Sequence, residues 1–519
     1  MRSRGLIPLL ALGVLAPLAP QALAAPAPAT TTASASTAEA PLKRYESQKP
    51  QWKRCGEETP ARFQCATVEV PLDYKRPGGP RIDVEISRLR TSVPDKRRGV
   101  LLFNPGGPGG SGLGEPLLFA RDLPRSVLER YDLIGFDPRG LGRSSPLDCG
   151  LTGQEKAHFL SPYKPETEQR DIAVTRSIAD KCRAGEGDRL PHITTRNTAR
   201  DMDIVRAVLG EKKISYVGVS YGTYLGAVYT QMFPRRADRF VLDSAVDPKR
   251  GWRKMMQVWS EEAGPAFTRW SEWTARRGTV HDLGDTPAEV RRTFWELVRT
   301  ADRKPITLHG QKWDGDAIRM LRPYFFDVKE AAERIAQLRR ASLGLPAGPP
   351  RPVETGPETP GSIETTWSVI CGDDDKAWPR DTARYRADAI RDKARYPLFG
   401  DFTSSVKPCA FWGKSAEPVT EVDNRVPSLI LQNEWDSQTP YSTGLDMHKA
   451  LKGSRLVSVK GGEGHGIYNW APNPCAVKVA NTYLATGELP KRNVTCVAVD
   501  DQTSRRSGPA ADRAPKPVF

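Results

Sequence analysis

The sequence predicts an α/β fold, a mostly parallel central sheet flanked by helices, with a large helical cap inserted after the sixth strand. Three observations carry this. Apolar runs of strand length alternate with helical patterns, as successive βα units do. Several runs are apolar at every position, as a sheet covered on both faces requires. Between about residues 248 and 425 the strand signals stop and helix signals take over. The chain has 519 residues and is 38% hydrophobic, enough for a sizeable core in two or three units.

The elements follow in order. Arg2 and Arg4 precede an apolar run from Gly5 to about Ala19, broken by Pro8 and Pro17, and Ala22-Leu23-Ala24 supplies a small-x-small cleavage site. This is an export signal over 1–24; a retained anchor is the alternative, but the run is too short and proline-broken to span a bilayer. Residues 25–45 are Ala/Thr/Ser/Pro-rich and read as a flexible leader. Strands follow at Thr67–Val70, Ile82–Leu89, Gly99–Phe103, Tyr131–Phe136, Ile214–Val219 and Arg239–Leu242, which place a first part of the core at 46–247. Thr198–Leu209 and the run after Ser220, stopped by Pro234, have helical spacing.

The cap, 248–425, holds nine of the twelve tryptophans. In it Thr286-Pro287-Ala288-Glu289 combines a capping box with proline at the first helical position, and Lys329–Leu343 and Asp381–Ala394 also read as helices. The Pro/Gly-rich 344–361 is a connecting loop. Strands at Ser428–Leu431 and Leu456–Val459 return the chain to the core over 426–499, and 500–519 is a flexible tail.

Eight cysteines in an exported chain imply disulfides. Short loops close at the least entropic cost, which pairs neighbours: Cys55 with Cys65, Cys149 with Cys182, Cys371 with Cys409, and Cys475 with Cys496. No CxxC or HxxxH occurs, so no metal is expected, and no cofactor. The net charge of +15 raises nucleic acid as a partner. No basic helix with interleaved aromatics supports it, and the charge is better read as favouring solubility or anionic cell-wall surfaces.

The chemistry concentrates at Gly218-Val219-Ser220-Tyr221-Gly222, a GxSxG string between an apolar strand and a helix. The reversal forces the serine into strained backbone geometry and projects its hydroxyl into a cleft. A serine needs a base, usually a histidine oriented by a carboxylate. Among six histidines only His465 lies in a glycine-rich loop after an apolar strand; His158, His192, His281, His309 and His448 read as solvated. Asp436 follows the strand at 428–431 and is the favoured acid, with Glu434 and Asp423 as alternatives. The order Ser220, Asp436, His465 is that of the α/β-hydrolase fold. The loop Asn104-Pro105-Gly106-Gly107-Pro108-Gly109-Gly110-Ser111-Gly112 follows a strand where oxyanion donors are needed. Gly107 is assigned one donor, with Gly106 as the alternative, and the N–H of Tyr221 the other. The loop lacks the GK[ST] ending of a phosphate loop.

Together the 104–112 loop, Phe136-Asp137-Pro138-Arg139-Gly140-Leu141-Gly142-Arg143-Ser144, Gly218–Gly222, Val241-Leu242-Asp243 with Asp247-Pro248, and the Asp436 and His465 segments resemble the secreted bacterial tripeptidyl aminopeptidases, relatives of the proline iminopeptidases. The resemblance runs from about residue 45 to 497 and includes the cysteines. It implies a secreted serine exopeptidase acting on free N-termini of peptides or proteins and releasing short peptides, typically of three residues. Pro105 stands where proline iminopeptidases usually carry histidine, which turns the expectation away from removal of single prolines. An exopeptidase must hold the substrate's α-ammonium, and Asp373 or Asp374 in Cys371-Gly372-Asp373-Asp374-Asp375, with Glu364 in reserve, is the expected anchor; a solvated acidic loop is the alternative. A monomer without a membrane segment after signal cleavage is expected. The rival readings are a secreted carboxylesterase or lipase with the same triad, and a non-catalytic surface binding protein.

Overall fold

The computed structural model describes residues 42–321, 325, 327–349, 359–468, 470 and 472–499. The export signal, most of the leader, much of the 344–361 loop and the tail lie outside the described residues.

Ten strands form one sheet: β1 (Lys53–Arg54), β2 (Phe63–Pro71), β3 (Arg81–Leu89), β4 (Gly99–Asn104), β5 (Tyr131–Phe136), β6 (Ile214–Val219), β7 (Ala237–Asp243), β10 (Ser428–Trp435), β11 (Ser454–Glu463) and β12 (Val494–Val497), in the order β1-β2-β3-β5-β4-β6-β7-β10-β11-β12. From β5 to β12 all neighbours are parallel; β1, β2 and β3 pair antiparallel and β3 joins β5 antiparallel. The central strands β4, β5 and β6 are buried on both faces, whereas β2 and β3 expose alternate residues. Along β4, Val100 and Leu102 enter one hydrophobic cluster while Leu101 and Phe103 enter the other, which is the two-residue period of a strand expressed as two cores. This is the α/β-hydrolase fold.

Helices flank the sheet: α1 (Glu115–Asp122), α2 (Glu168–Glu186), α3 (Thr195–Val208) and α4 (Tyr221–Met232) in the first part, α10 (Tyr441–Ala450) and α11 (Pro474–Thr486) in the second. Between β7 and β10 lie α5 (Trp252–Ala275), α6 (Pro287–Arg303), α7 (Val328–Ser342), α8 (Ser362–Gly372) and α9 (Thr382–Arg395). Helix α6 starts on the expected capping box: Thr286 and Glu289 exchange side-chain and backbone hydrogen bonds. An aromatic cluster of Phe267, Trp270, Phe294 and Phe325 joins α5 and α6, so these cap rings serve as packing, not as exposed walls.

Several expectations change. The two-residue β1 makes the cap follow the seventh strand in chain order. The cap is not free of strands: β8 (Ile306–Leu308) and β9 (Gln311–Trp313) form a hairpin whose tight turn uses His309 and Gly310, both at positive φ. Tyr45, counted in the leader, is 1% exposed and donates to the carbonyl of Pro77 at 2.8 Å, so ordered structure begins before residue 46. His281 is buried beside Trp273, and His158, His192 and His448 are half-buried. The four disulfides are Cys55–Cys65, Cys149–Cys182, Cys371–Cys409 and Cys475–Cys496. Among the described residues no helix is long and apolar enough to cross a membrane, and no group of three metal-ligating side chains occurs.

Candidate active site

Ser220 sits between β6 and α4 with φ 57° and ψ −123°, a backbone conformation that costs a β-carbon-bearing residue about 1–3 kcal/mol. Its surroundings enforce it. A β-carbon on Gly218 would lie 2.4 Å from the carbonyl of Gly222, and one on Gly222 would lie 2.6 Å from that of Asn104. Only glycine fits on either side of the turn. The Ser220 N–H donates to the carbonyl of Asp243 at 3.0 Å, tying the turn to the end of β7.

Asp436 and His465 arrive from the ends of β10 and β11. His465 Nδ1 is 2.8 Å from Asp436 Oδ2, and both side chains are buried. Asp436 also accepts from the N–H groups of Gln438 and Thr439 at 2.8 and 3.0 Å and from Thr439 Oγ1 at 2.8 Å, so the carboxylate is fixed on several sides. His465 Nε2 is buried and has no hydrogen-bond partner among the described residues. An imidazole held at one nitrogen and open at the other is what a general base requires. The alternative acids lie elsewhere: Glu434 accepts from the N–H of Gly461 at 2.6 Å as part of the β10–β11 junction, and Asp423 is exposed and paired with Lys452.

The histidine loop is itself anchored. Asp243 accepts from the N–H groups of Ile467 and Tyr468 at 2.9 and 2.7 Å, Ser244 Oγ accepts from that of Gly466 at 2.8 Å, and Asn433 donates to the carbonyl of Gly464 at 2.8 Å. Burial pushes the Asp243 carboxyl up to about 6 despite these donors. Asp243 and Thr439 were not singled out for these roles from sequence, although Asp243 stands within the string Val241-Leu242-Asp243.

The glycine loop lies against the nucleophile turn. A β-carbon on Gly106 would be 3.0 Å from Ser220 Cβ and 3.2 Å from Tyr221 N. The Gly106 N–H is spent on Asn104 Oδ1 at 3.1 Å, which leaves Gly107, at φ 109°, as the better-placed donor. The peptide between Gly107 and Pro108 is cis. Helix α8 holds the loop from the cap side: Ser362 Oγ donates to the carbonyl of Gly109 at 2.8 Å and Thr366 Oγ1 to that of Pro108 at 2.6 Å.

The expected amine anchors lie on and just after α8, and Asp373 is joined through Thr195 Oγ1 to the Tyr221 hydroxyl, 2.9 Å from that oxygen, next to the nucleophile. Asp373 is a buried structural node: it accepts from the N–H and hydroxyl of Thr195 at 2.9 and 2.5 Å and from the indole of Trp252 at 3.3 Å, and burial raises its carboxyl to about 6. Three donors thus fix the Asp373 carboxylate, which borders the same cavity as Asp374. Asp374 borders a cavity of about 930 Å³ lined also by Tyr224, Trp252 and Met255, but neither Ser220 nor His465 lines it. Glu364 is buried on the first turn of α8.

Residues 396–496 match the model of the TAP-like protein family. The tripeptidyl aminopeptidase of Streptomyces lividans is 35% identical over 86% of this chain and 86% of its own. Serine protease Hip1 of Mycobacterium tuberculosis is 27% identical over 83% and 87%, and carboxylesterase B of the same organism 29% identical over 83% and 86%. With that identity across most of its length, the chain belongs to the tripeptidyl aminopeptidase family and is a serine peptidase of the α/β-hydrolase type.

Proposed function

We propose that the chain is a secreted exopeptidase that releases short peptides, of three residues, from free N-termini by an acyl-enzyme mechanism. The observation that carries this is the Asp436-held imidazole of His465 with an open Nε2, set among strand ends that also present the strained Ser220. His465 Nε2 takes the Ser220 hydroxyl proton as Oγ bonds to the scissile carbonyl carbon. The oxyanion is received by the N–H groups of Gly107 and Tyr221. His465 then gives its proton to the leaving amine as the C–N bond breaks, and a water molecule, deprotonated by the same nitrogen, hydrolyses the ester. Four disulfides support export to an oxidising compartment.

The test compares a tripeptide chromogen bearing a free amine with its N-acetylated form and with a short p-nitrophenyl ester, each with wild type and Ser220→Ala. The expected result is cleavage of the free-amine peptide, loss on acetylation, and a fall of several orders of magnitude in Ser220→Ala. Equal cleavage of both peptides would remove the exopeptidase reading. A second reading, a carboxylesterase using the same residues, draws on the 29% identical relative that bears that name; ester turnover with neither peptide cleaved would favour it.

A further inference from the structure

Helix α5 crosses the loops that carry the acid and the base. Trp259 Nε1 donates to the carbonyl of Gln438 at 3.0 Å, beside Asp436. Ten residues on, Arg269 Nε donates to Glu463 Oε1 at 2.8 Å, and its guanidinium lies 4.7 Å from the centre of the Trp435 ring. Trp259 and Arg269 therefore clamp one stripe of α5 over the ends of β10 and β11. Positions three, seven and ten residues after Trp259 fall on that stripe: Glu262, Ala266 and Arg269. Ala266 is buried against the core.

Glu262 is the one stripe residue whose chemistry is unspent. It is half-buried and, among the described residues, has no hydrogen-bond or ion-pair partner. The nearby cation, Arg269, is committed to Glu463. Desolvation raises the Glu262 carboxyl above its usual range against the pull of Arg269, and the charges of Glu261 and then Asp436 add to the rise. Around this point stand four carboxylates, Glu261, Glu262, Asp436 and Glu463, and one guanidinium. A desolvated carboxylate with an uncompensated neighbour calls for a cation that arrives with the substrate.

We infer that Glu262, held over the triad by the Trp259 and Arg269 clamps of α5, receives the free α-ammonium group of the peptide substrate. The assignment rests on the exopeptidase reading above and stands as an alternative to Asp373, Asp374 and Glu364 in this role. It makes the cap helix the ruler of the reaction: the distance from Glu262 to Ser220 sets how many residues lie on the acyl side of the cleaved bond.

The experiment uses the full chain carrying Glu262→Gln or Glu262→Asp, assayed on the free-amine and N-acetylated tripeptide chromogens and on the p-nitrophenyl ester. Glu262→Gln is expected to lower kcat/KM for the free-amine peptide about 10- to 100-fold, chiefly through KM, the worth of one charge-assisted hydrogen bond. Ester turnover and fluorophosphonate labelling of Ser220 are expected to stay at wild-type levels, which separates a lost anchor from a misfolded cap. Glu262→Asp, which keeps the charge, is expected to recover part of the preference for the free amine. If wild type prefers the free amine and Glu262→Gln prefers it equally, the assignment is overturned while the exopeptidase reading stands. If wild type shows no preference, that reading fails and the anchor falls with it.

Discussion

His465 Nδ1 and Asp436 Oδ2 lie 2.8 Å apart with both side chains buried, and Thr439 Oγ1 stands 2.8 Å from the same carboxylate oxygen and 3.4 Å from the same ring nitrogen. The carboxylate thus holds the ring, and the threonine holds the carboxylate. Asp436→Asn puts an amide donor where an acceptor is needed and frees the wrong tautomer, so kcat is expected to fall about 10,000-fold. Thr439→Val leaves the two backbone donors to Asp436 in place and is expected to cost about 10-fold, one hydrogen bond to a charged group. Glu434→Gln still accepts from Gly461 and should keep kcat near wild type. A severe Glu434→Gln with a mild Asp436→Asn would move the acid to Glu434.

Asp243 fixes the histidine loop through two backbone amides at the end of β7. Asp243→Ala leaves those N–H groups buried without acceptors and is expected to lower kcat about 10- to 100-fold with KM little changed. The pH dependence follows from the carboxyl raised to about 6 by burial. Below that value the group takes up a proton and accepts more weakly, so kcat should decline as pH falls through about 6. The Asp243→Ala variant has no such proton to gain. An identical acid limb in its pH–kcat profile would show that Asp243 does not titrate in this range.

Much of this arrangement was legible in the sequence because it is local. The strand-to-helix turn at Ser220 is written in two glycines that admit no β-carbon, and the capping box at Thr286 and Glu289 in four consecutive residues. The disulfides follow chain neighbours because short loops are cheap to close. What was not legible depends on residues far apart in the chain. Asp373 reads as an amine anchor or a solvated acid beside a cysteine, and its enclosure by Thr195 and Trp252, 178 and 121 residues away, is not written locally. Glu262 reads as one more polar residue of a cap helix until the contacts of Trp259 and Arg269 show which face of α5 meets β10 and β11. The hairpin at 306–313 was missed because strands of three residues carry no period to detect.

The Cys371–Cys409 bridge closes a loop of 38 residues at the C-terminal end of α8. By chain entropy such a link stabilises the fold by about 4 kcal/mol at most. Because α8 also holds Pro108 and Gly109, loosening it should reach the oxyanion loop. The double variant Cys371→Ser with Cys409→Ser is expected to melt at a lower temperature and to lose kcat at temperatures where it is still folded. A lower melting temperature with unchanged kcat would confine the bridge to stability.

The contact between the glycine loop and the nucleophile turn offers the sharpest test of the oxyanion assignment. A β-carbon on Gly106 would lie 2.5 Å from the carbonyl of Val219 and 3.0 Å from Ser220 Cβ, at a backbone φ of 100° that disfavours any side chain. The neighbours here are the strand end and the nucleophile turn, neither of which can swing aside as a flexible side chain would. Gly106→Ala must therefore lift the loop away from Ser220, carrying the Gly107 N–H with it. Loss of one oxyanion donor costs about 100- to 1,000-fold in kcat, and that is the expected range. Gly114 belongs to the same segment but has no atom within 4 Å of its would-be β-carbon and an ordinary φ of −78°, so Gly114→Ala should leave kcat unchanged. Equal rates for the two variants would separate the glycine loop from the chemistry.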